Sequence, residues 1–130
     1  MRVSSATVGP FQENAWLIVD PDAGRAVFVD PGDEPDTLLA LLEASGATLE
    51  AIWLTHAHLD HIAGAGLLVK QEPKLAIVAE ADTAVFLREK KDPRRPIPTS
   101  TFKDHRSLKL GTMVVELKKG QWHSPEGDLI

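Results

Sequence analysis

The chain has 130 residues, 43% of them hydrophobic, 25% charged and 5% aromatic, and its 14 basic and 19 acidic side chains leave a net charge of −5. This is the composition of one ordinary globular domain whose core is built from Ala, Val, Leu and Ile, and its acidic balance speaks against nucleic acid or an anionic membrane as main partner. No cysteine is present, which excludes disulfides, thiolate zinc sites, iron–sulfur clusters and a thiol nucleophile, so any transition metal must be held by His, Asp or Glu.

No apolar run approaches the roughly 18 residues of a membrane span, and residues 1–20 lack the basic start and apolar stretch of a signal peptide, so a cytoplasmic location is expected. Ala15–Asp20 and Ala26–Asp30 are short β-prone runs separated by Pro21-Asp22-Ala23-Gly24, which predicts a hairpin. Pro31-Gly32-Asp33 then breaks the second strand. A helix is expected over 35–45, with Leu38, Leu39, Leu41 and Leu42 as its apolar stripe, Asp33 or Asp36 as its cap and Gly46 as its left-handed stop. Ala51–Thr55 reads as a buried strand. Ile62–Gln71 reads as a helix, Leu75–Ala79 as a strand, and Ala81–Lys91 as a helix that turns Ala84, Val85 and Leu87 inward. The three prolines between Lys90 and Pro98 remove donors and fix φ, which predicts an exposed connector. Met113–Leu117 is the last clear strand, and Gln121–Ile130 reads as loop or turn. Strands alternating with helices imply an α/β fold, read as one domain over 1–130.

The chemistry concentrates in His56-Ala57-His58-Leu59-Asp60-His61, which holds three of the five histidines. In extended backbone, side chains two apart point the same way, so His56 and His58 can present imidazoles to one point just beyond a strand. Asp60 and His61 follow where the chain turns into a helix and can face a second point close by. Imidazole and carboxylate ligands suit zinc, iron or manganese. Two such ions about 3.5–4 Å apart could share a bridging water and lower its pKa toward neutrality. A solvated polar loop is the bland alternative, and three His with one Asp in six residues after an apolar strand argue against it.

Thr55-His56-Ala57-His58-Leu59-Asp60-His61-Ile62-Ala63-Gly64 resembles the T-H-x-H-x-D-H-x-x-G signature of the metallo-β-lactamase fold superfamily. The surroundings are similar to its glyoxalase II-like branch: Gly9-Pro10-Phe11-Gln12-Glu13-Asn14-Ala15-Trp16 resembles that branch's opening strand, and Val29-Asp30-Pro31-Gly32 its Asp-Pro-Gly turn. The resemblance implies an αββα sandwich, of which this chain carries the first half plus the start of the second, as in a C-terminally truncated form. It assigns His56 and His58 to a first metal site, and Asp60 and His61 to a second. Asp60 would also handle a proton as the catalytic residue. Asp30 would steady the metal loop, although a strand-end turn Asp is nearly as good a reading of it.

The later family ligands are matched more loosely. His123, in Gly120-Gln121-Trp122-His123-Ser124-Pro125-Glu126-Gly127, is the third ligand of the first site or a surface turn His. Asp128, in Gly127-Asp128-Leu129-Ile130, resembles the bridging Asp but follows His123 by only five residues. The family's final His has no counterpart. His105 reads as an exposed residue of a polar loop, and Asp92–Arg95 as a solvated connector. The function implied is a zinc hydrolase, with one or two ions and with iron or manganese as substitutes. It would act on a thioester or small ester as its small-molecule substrate. A mononuclear iron sulfur dioxygenase of the same fold, using His56, His58 and His123, and a non-catalytic metal-binding relic are the alternatives. A half-sandwich would leave one apolar sheet face open, to be covered by a missing C-terminal half or by a second copy.

Overall fold

The computed structural model describes residues 1–55, 59–90 and 95–119, and of 59, 60 and 90 the backbone only. The elements run β1 (Arg2–Val8), β2 (Glu13–Asp20), β3 (Arg25–Val29), α1 (Pro35–Ser45), β4 (Thr48–Leu54), α2 (Leu59–Gln71), β5 (Ala76–Glu80), α3 (Ala81–Lys90), β6 (Ser100–Phe102), β7 (His105–Leu110) and β8 (Met113–Lys118). The first six strands form one sheet in sequence order, and β7 and β8 form a separate two-stranded ribbon.

Turn chemistry sets the antiparallel start. The Pro21–Gly24 turn folds β3 back on β2 so that Trp16 lies opposite Val29 and Asp20 opposite Arg25. From β3 onward the pairings are parallel, β3 to β4, β4 to β5 and β5 to β6, each crossover carrying one helix. Crossovers of one hand put their helices on one face of a sheet, and Leu38 of α1, Ile62, Ala65 and Leu68 of α2 and Leu87 of α3 all enter a single core against that face.

The strands are buried on both faces, and their side chains sort by period two. Ala26, Phe28, Ile52, Leu54, Ile77 and Ala79 face the helices. Val27, Ala51, Trp53 and Val78 face the other way, where Leu110 of β7 and Leu117 of β8 pack on them. The order of layers is therefore helix, sheet and the first ribbon of a second sheet. The ribbon covers only part of its face: Val3 on the edge strand β1 and Trp16 on its neighbour β2 stay 51% and 43% exposed.

The expected hairpin, helices and strands are all present, with several corrections. Strand β1 escapes sequence reading because RVSSATV is exposed at five of its seven positions and shows no apolar alternation. β7 escapes it because the inward positions of HRSLKL are Arg106, Leu108 and Leu110, only two of them apolar. His105 therefore opens a strand rather than sitting in a polar loop; it is exposed, and its ring contacts the Glu116 carboxylate across the ribbon. Neither Asp33 nor Asp36 caps α1. Glu34 is the N-cap, in left-handed backbone and without a side-chain cap bond, because Pro35 at the first turn brings a preset φ and no donor to satisfy. The Glu34 carboxylate instead accepts from the Gly9 amide at 2.7 Å. Gly46 does end α1 in left-handed backbone. Val85 faces outward, while Ala84 and Leu87 are fully buried. Residues 91–94 of the connector and the tail 120–130 lie outside the described residues. Among those described, no helix is long and apolar enough to cross a membrane.

One buried carboxylate joins the ribbon to the main sheet. Asp20, at the end of β2, accepts from the amides of Asp22 and Ala23 in its own turn. It also accepts from the amide and hydroxyl of Thr112 in the β7–β8 turn, both at 2.6 Å. The Thr112 hydroxyl, then its amide, holds the Asp20 carboxyl down at about 2, below its ordinary 3.8. A carboxyl depressed by folding stabilises the native state above its unfolded pKa and loses that contribution as pH falls through the folded one. Asp20→Asn should therefore unfold more readily than the parent at neutral pH. The gap should close between about pH 4 and pH 2, as urea denaturation across that range would show.

Candidate metal centre

Parallel strands deliver their C-terminal ends to one edge of the sheet, where open α/β sheets place their ligands. β3 exits there into Asp30, and β4 exits into Thr55, the residue before His56. Asp30 is buried and stands in left-handed backbone at φ 48°. Its amide donates to the Trp53 carbonyl at 3.1 Å, which binds the β3 exit to β4. Its carboxylate accepts from the Thr55 amide at 2.8 Å and from the Thr55 hydroxyl. The strand-end Asp thus clamps the residue that opens the histidine segment.

α2 brings His61 to the same carboxylate. The His61 Nδ1 lies 3.0 Å from Oε2 of Glu13, the first residue of β2, and 3.5 Å from Oδ2 of Asp30. Two carboxylates around one ring favour the imidazolium. Asp30 first, then Glu13, hold the His61 pKa up at about 10 against a burial that lowers it.

Gly64 explains how the helix comes so close. It sits one turn after His61, on the same face of α2, and its amide donates to the Gly32 carbonyl at 2.8 Å. A Cβ there would stand 2.3 Å from the Pro31 carbonyl oxygen and 3.0 Å from the Asp33 amide nitrogen. Both are backbone atoms, so nothing but glycine fits without moving the helix or the turn.

Of the other expected site residues, Asp60 is placed by its backbone in the first turn of α2, its side chain lying outside the described residues. His56, His58, His123 and Asp128 also lie outside them. Among the described residues, no group of three or more His, Asp or Glu is arranged to hold an ion. Arg95, the last residue of the expected solvated connector Asp92–Arg95, stacks its guanidinium 5.4 Å over the Phe86 ring. The sequence signals missed two anchors. Glu13 is hidden inside an apolar strand run, and Lys119 shows nothing but a charge. Lys119, at the end of β8, contacts the buried Glu80 carboxylate at 3.2 Å and also Asp82, tying the ribbon to the C-terminal end of β5.

The described part of the site offers one imidazole flanked by two carboxylates. Imidazole and carboxylate donors without sulfur match borderline to hard divalent ions.

Helices over a sheet over a ribbon, with Asp30, Thr55 and His61 gathered at the strand ends, define a layered α/β domain. The family profile of the Metallo-beta-lactamase superfamily matches residues 8–128, and the chain belongs to that family. The hydroxyacylglutathione hydrolase of Salmonella paratyphi B (strain ATCC BAA-1250 / SPB7) is 36% identical over 77 residues, which are 59% of this chain and 30% of that enzyme. Among solved structures, the BLEG-1 B3 metallo-beta-lactamase superposes with a TM-score of 0.79 at 26% identity, covering 98% of this chain and 65% of that one. The di-iron-bound form of TTHA1623 superposes at 0.72 with 30% identity, covering 97% and 64%. The chain therefore spans about two thirds of these structures, and its matched stretch less than a third of the curated relative.

Gly64→Ala should lower stability by about 1–3 kcal/mol through overpacking against backbone, read as a drop in the urea midpoint. Asp30→Ala would remove the acceptor for the Thr55 amide and hydroxyl together. Hydrogen exchange at the Thr55 amide should then accelerate, while the β1–β2 amides far from the edge remain protected.

Proposed function

We propose that this chain carries the metal-binding half of a glyoxalase II-like hydrolase that opens a thioester or small ester with a metal-activated water. The observation that carries the reading is His61 wedged between Glu13 and Asp30 at the edge where β4 delivers the T-H-x-H-x-D-H segment. The 36% identity to hydroxyacylglutathione hydrolase supports the substrate class. In this proposal His56, His58 and His123 would hold one ion and Asp60 and His61 a second, with Asp128 as a further carboxylate donor. Zinc is the first choice, with iron and manganese as alternatives for the same donors. The chemistry such donors would gain from a divalent ion is a water activated near neutral pH and a polarised substrate carbonyl. Asp60 takes the proton released at the nucleophile and passes it toward the departing thiol. The clamp by Asp30 and the wedge on His61 keep the donor positions fixed, so that little reorganisation is needed when charge develops.

The test is hydrolysis of S-lactoylglutathione and simple thioesters by protein loaded with zinc, iron or manganese. Turnover should exceed that of a His56→Ala/His58→Ala control by at least about 100-fold, the scale expected when a metal-activated nucleophile is lost. Equality with that control would overturn the hydrolase. Metal analysis adds a second criterion: near two equivalents fits the hydrolase, whereas one iron alone would fit the sulfur dioxygenase.

The same reading assigns an occupant to the open side of the sheet. Val3 and Trp16 would be covered by a second copy of this chain, burying the strip that β7 and β8 leave open. Sedimentation at micromolar concentration should give a dimer that Trp16→Glu disperses; a parent monomer with unchanged Trp16 fluorescence on dilution would exclude it.

A further inference from the structure

The two edges of the six-stranded sheet are built differently. β6 is three residues long and follows a stretch that contains Pro96 and Pro98, so it offers little backbone to a further strand. β1 is seven residues long, pairs with β2 at all seven positions without a bulge, and contains no proline and no acid. Its single charge, Arg2, stands at one end and donates to the Ser45 carbonyl at 3.3 Å. Every second residue of an edge strand points its amide and carbonyl away from its one neighbour, and among the described residues β1 pairs with β2 alone. A long, unbroken edge without the usual guards is a template for another strand.

β1 is complementary to itself. Two copies related by a two-fold axis run antiparallel, and the residues they oppose share a face of the sheet. The register that pairs all seven positions puts Ser5 on the axis, Val3 opposite Thr7, Ser4 opposite Ala6 and Arg2 opposite Val8. No like charges meet, and Val3 and Thr7 make a β-branched cross-strand pair on the face where Val3 is half-exposed. Within one chain Ser5 lies opposite Trp16, so one row runs Trp16, Ser5, Ser5, Trp16 across the joint. The two small side chains leave room for the half-exposed indoles to lean over it.

We propose that β1 is a dimerisation edge: two copies of the chain join their β1 strands antiparallel about a two-fold axis through Ser5, making one continuous sheet. The inference rests on the reading that a second copy meets Val3 and Trp16, and adds the strand and the register through which the copies join.

The chain has no cysteine, so single cysteines placed on β1 read the register directly. Under mild oxidation at micromolar concentration, Ser5→Cys should link to its own copy, because opposed Cα atoms in an antiparallel pair lie about 4.5–5.5 Å apart, within disulfide reach. Val3→Cys and Thr7→Cys should link when mixed. Neither should link alone, since each stands about 14 Å from its own copy along the paired strands. Linkage of Val3→Cys to itself would overturn the register. Absence of every link, in a parent that sediments as a dimer, would overturn the strand joint and leave the contact at Trp16 standing. A parent that sediments as a monomer would overturn both. Should the cysteine variants not fold, hydrogen exchange in the parent decides. Alternate amides of Arg2–Val8 are expected to exchange more slowly as concentration rises through the dimerisation range, and rates independent of concentration would overturn the proposal.

Discussion

The carboxylate of Asp30 is the constraint on which the site depends. Its backbone is held to Trp53, its two oxygens take the amide and hydroxyl of Thr55, and its charge reaches His61. Three chain segments distant in sequence, the exits of β3 and β4 and the start of α2, are thereby tied to one side chain. The arrangement works because Asp30 adopts left-handed backbone, which Asp tolerates better than most residues and which turns its carboxylate back across the strand ends. A β-branched residue in its place would meet both the strained φ and the loss of two acceptors.

The spacing of the signature follows from the same geometry. His61 and Gly64 are one turn apart on α2, so a helix that presents the imidazole to β2 and β3 must also present residue 64 to the turn after β3. That turn supplies a carbonyl to the Gly64 amide and leaves no room for a methyl group. The glycine and the histidine are two halves of one docking contact, which is why the motif reads as a unit although only part of it offers donor atoms.

How much of this could be read from the residues differs by layer. The helices and the buried strands were legible because their apolar periods are strong: α1 from its leucine stripe, β4 and β5 from short apolar runs. β1 and β7 were not, since an edge strand and a ribbon facing water on one side carry too few inward side chains to leave a pattern. The metal segment stood out by composition, and Asp30 by its place in the Asp-Pro-Gly turn. Glu13 could not be found that way. Its neighbours in β2 alternate correctly for a half-buried strand, and a lone acid at the start of such a strand ordinarily belongs to solvent; only the fold shows that α2 lands on it.

The anchors of the histidine segment all belong to the first sheet and its helices: Glu13 on β2, Asp30 after β3, Thr55 after β4 and Gly64 within α2. The ribbon is attached separately, through Thr112 on Asp20 at one end and Lys119 on Glu80 and Asp82 at the other. The geometry of His61 therefore does not depend on what covers the rest of the second layer, whereas the walls around a substrate would. This separation accounts for similarity to proteins as different as a B3 metallo-beta-lactamase and a hydroxyacylglutathione hydrolase. The portion that the B3 enzyme shares with this chain is the layered frame of helices and sheet on which these anchors stand.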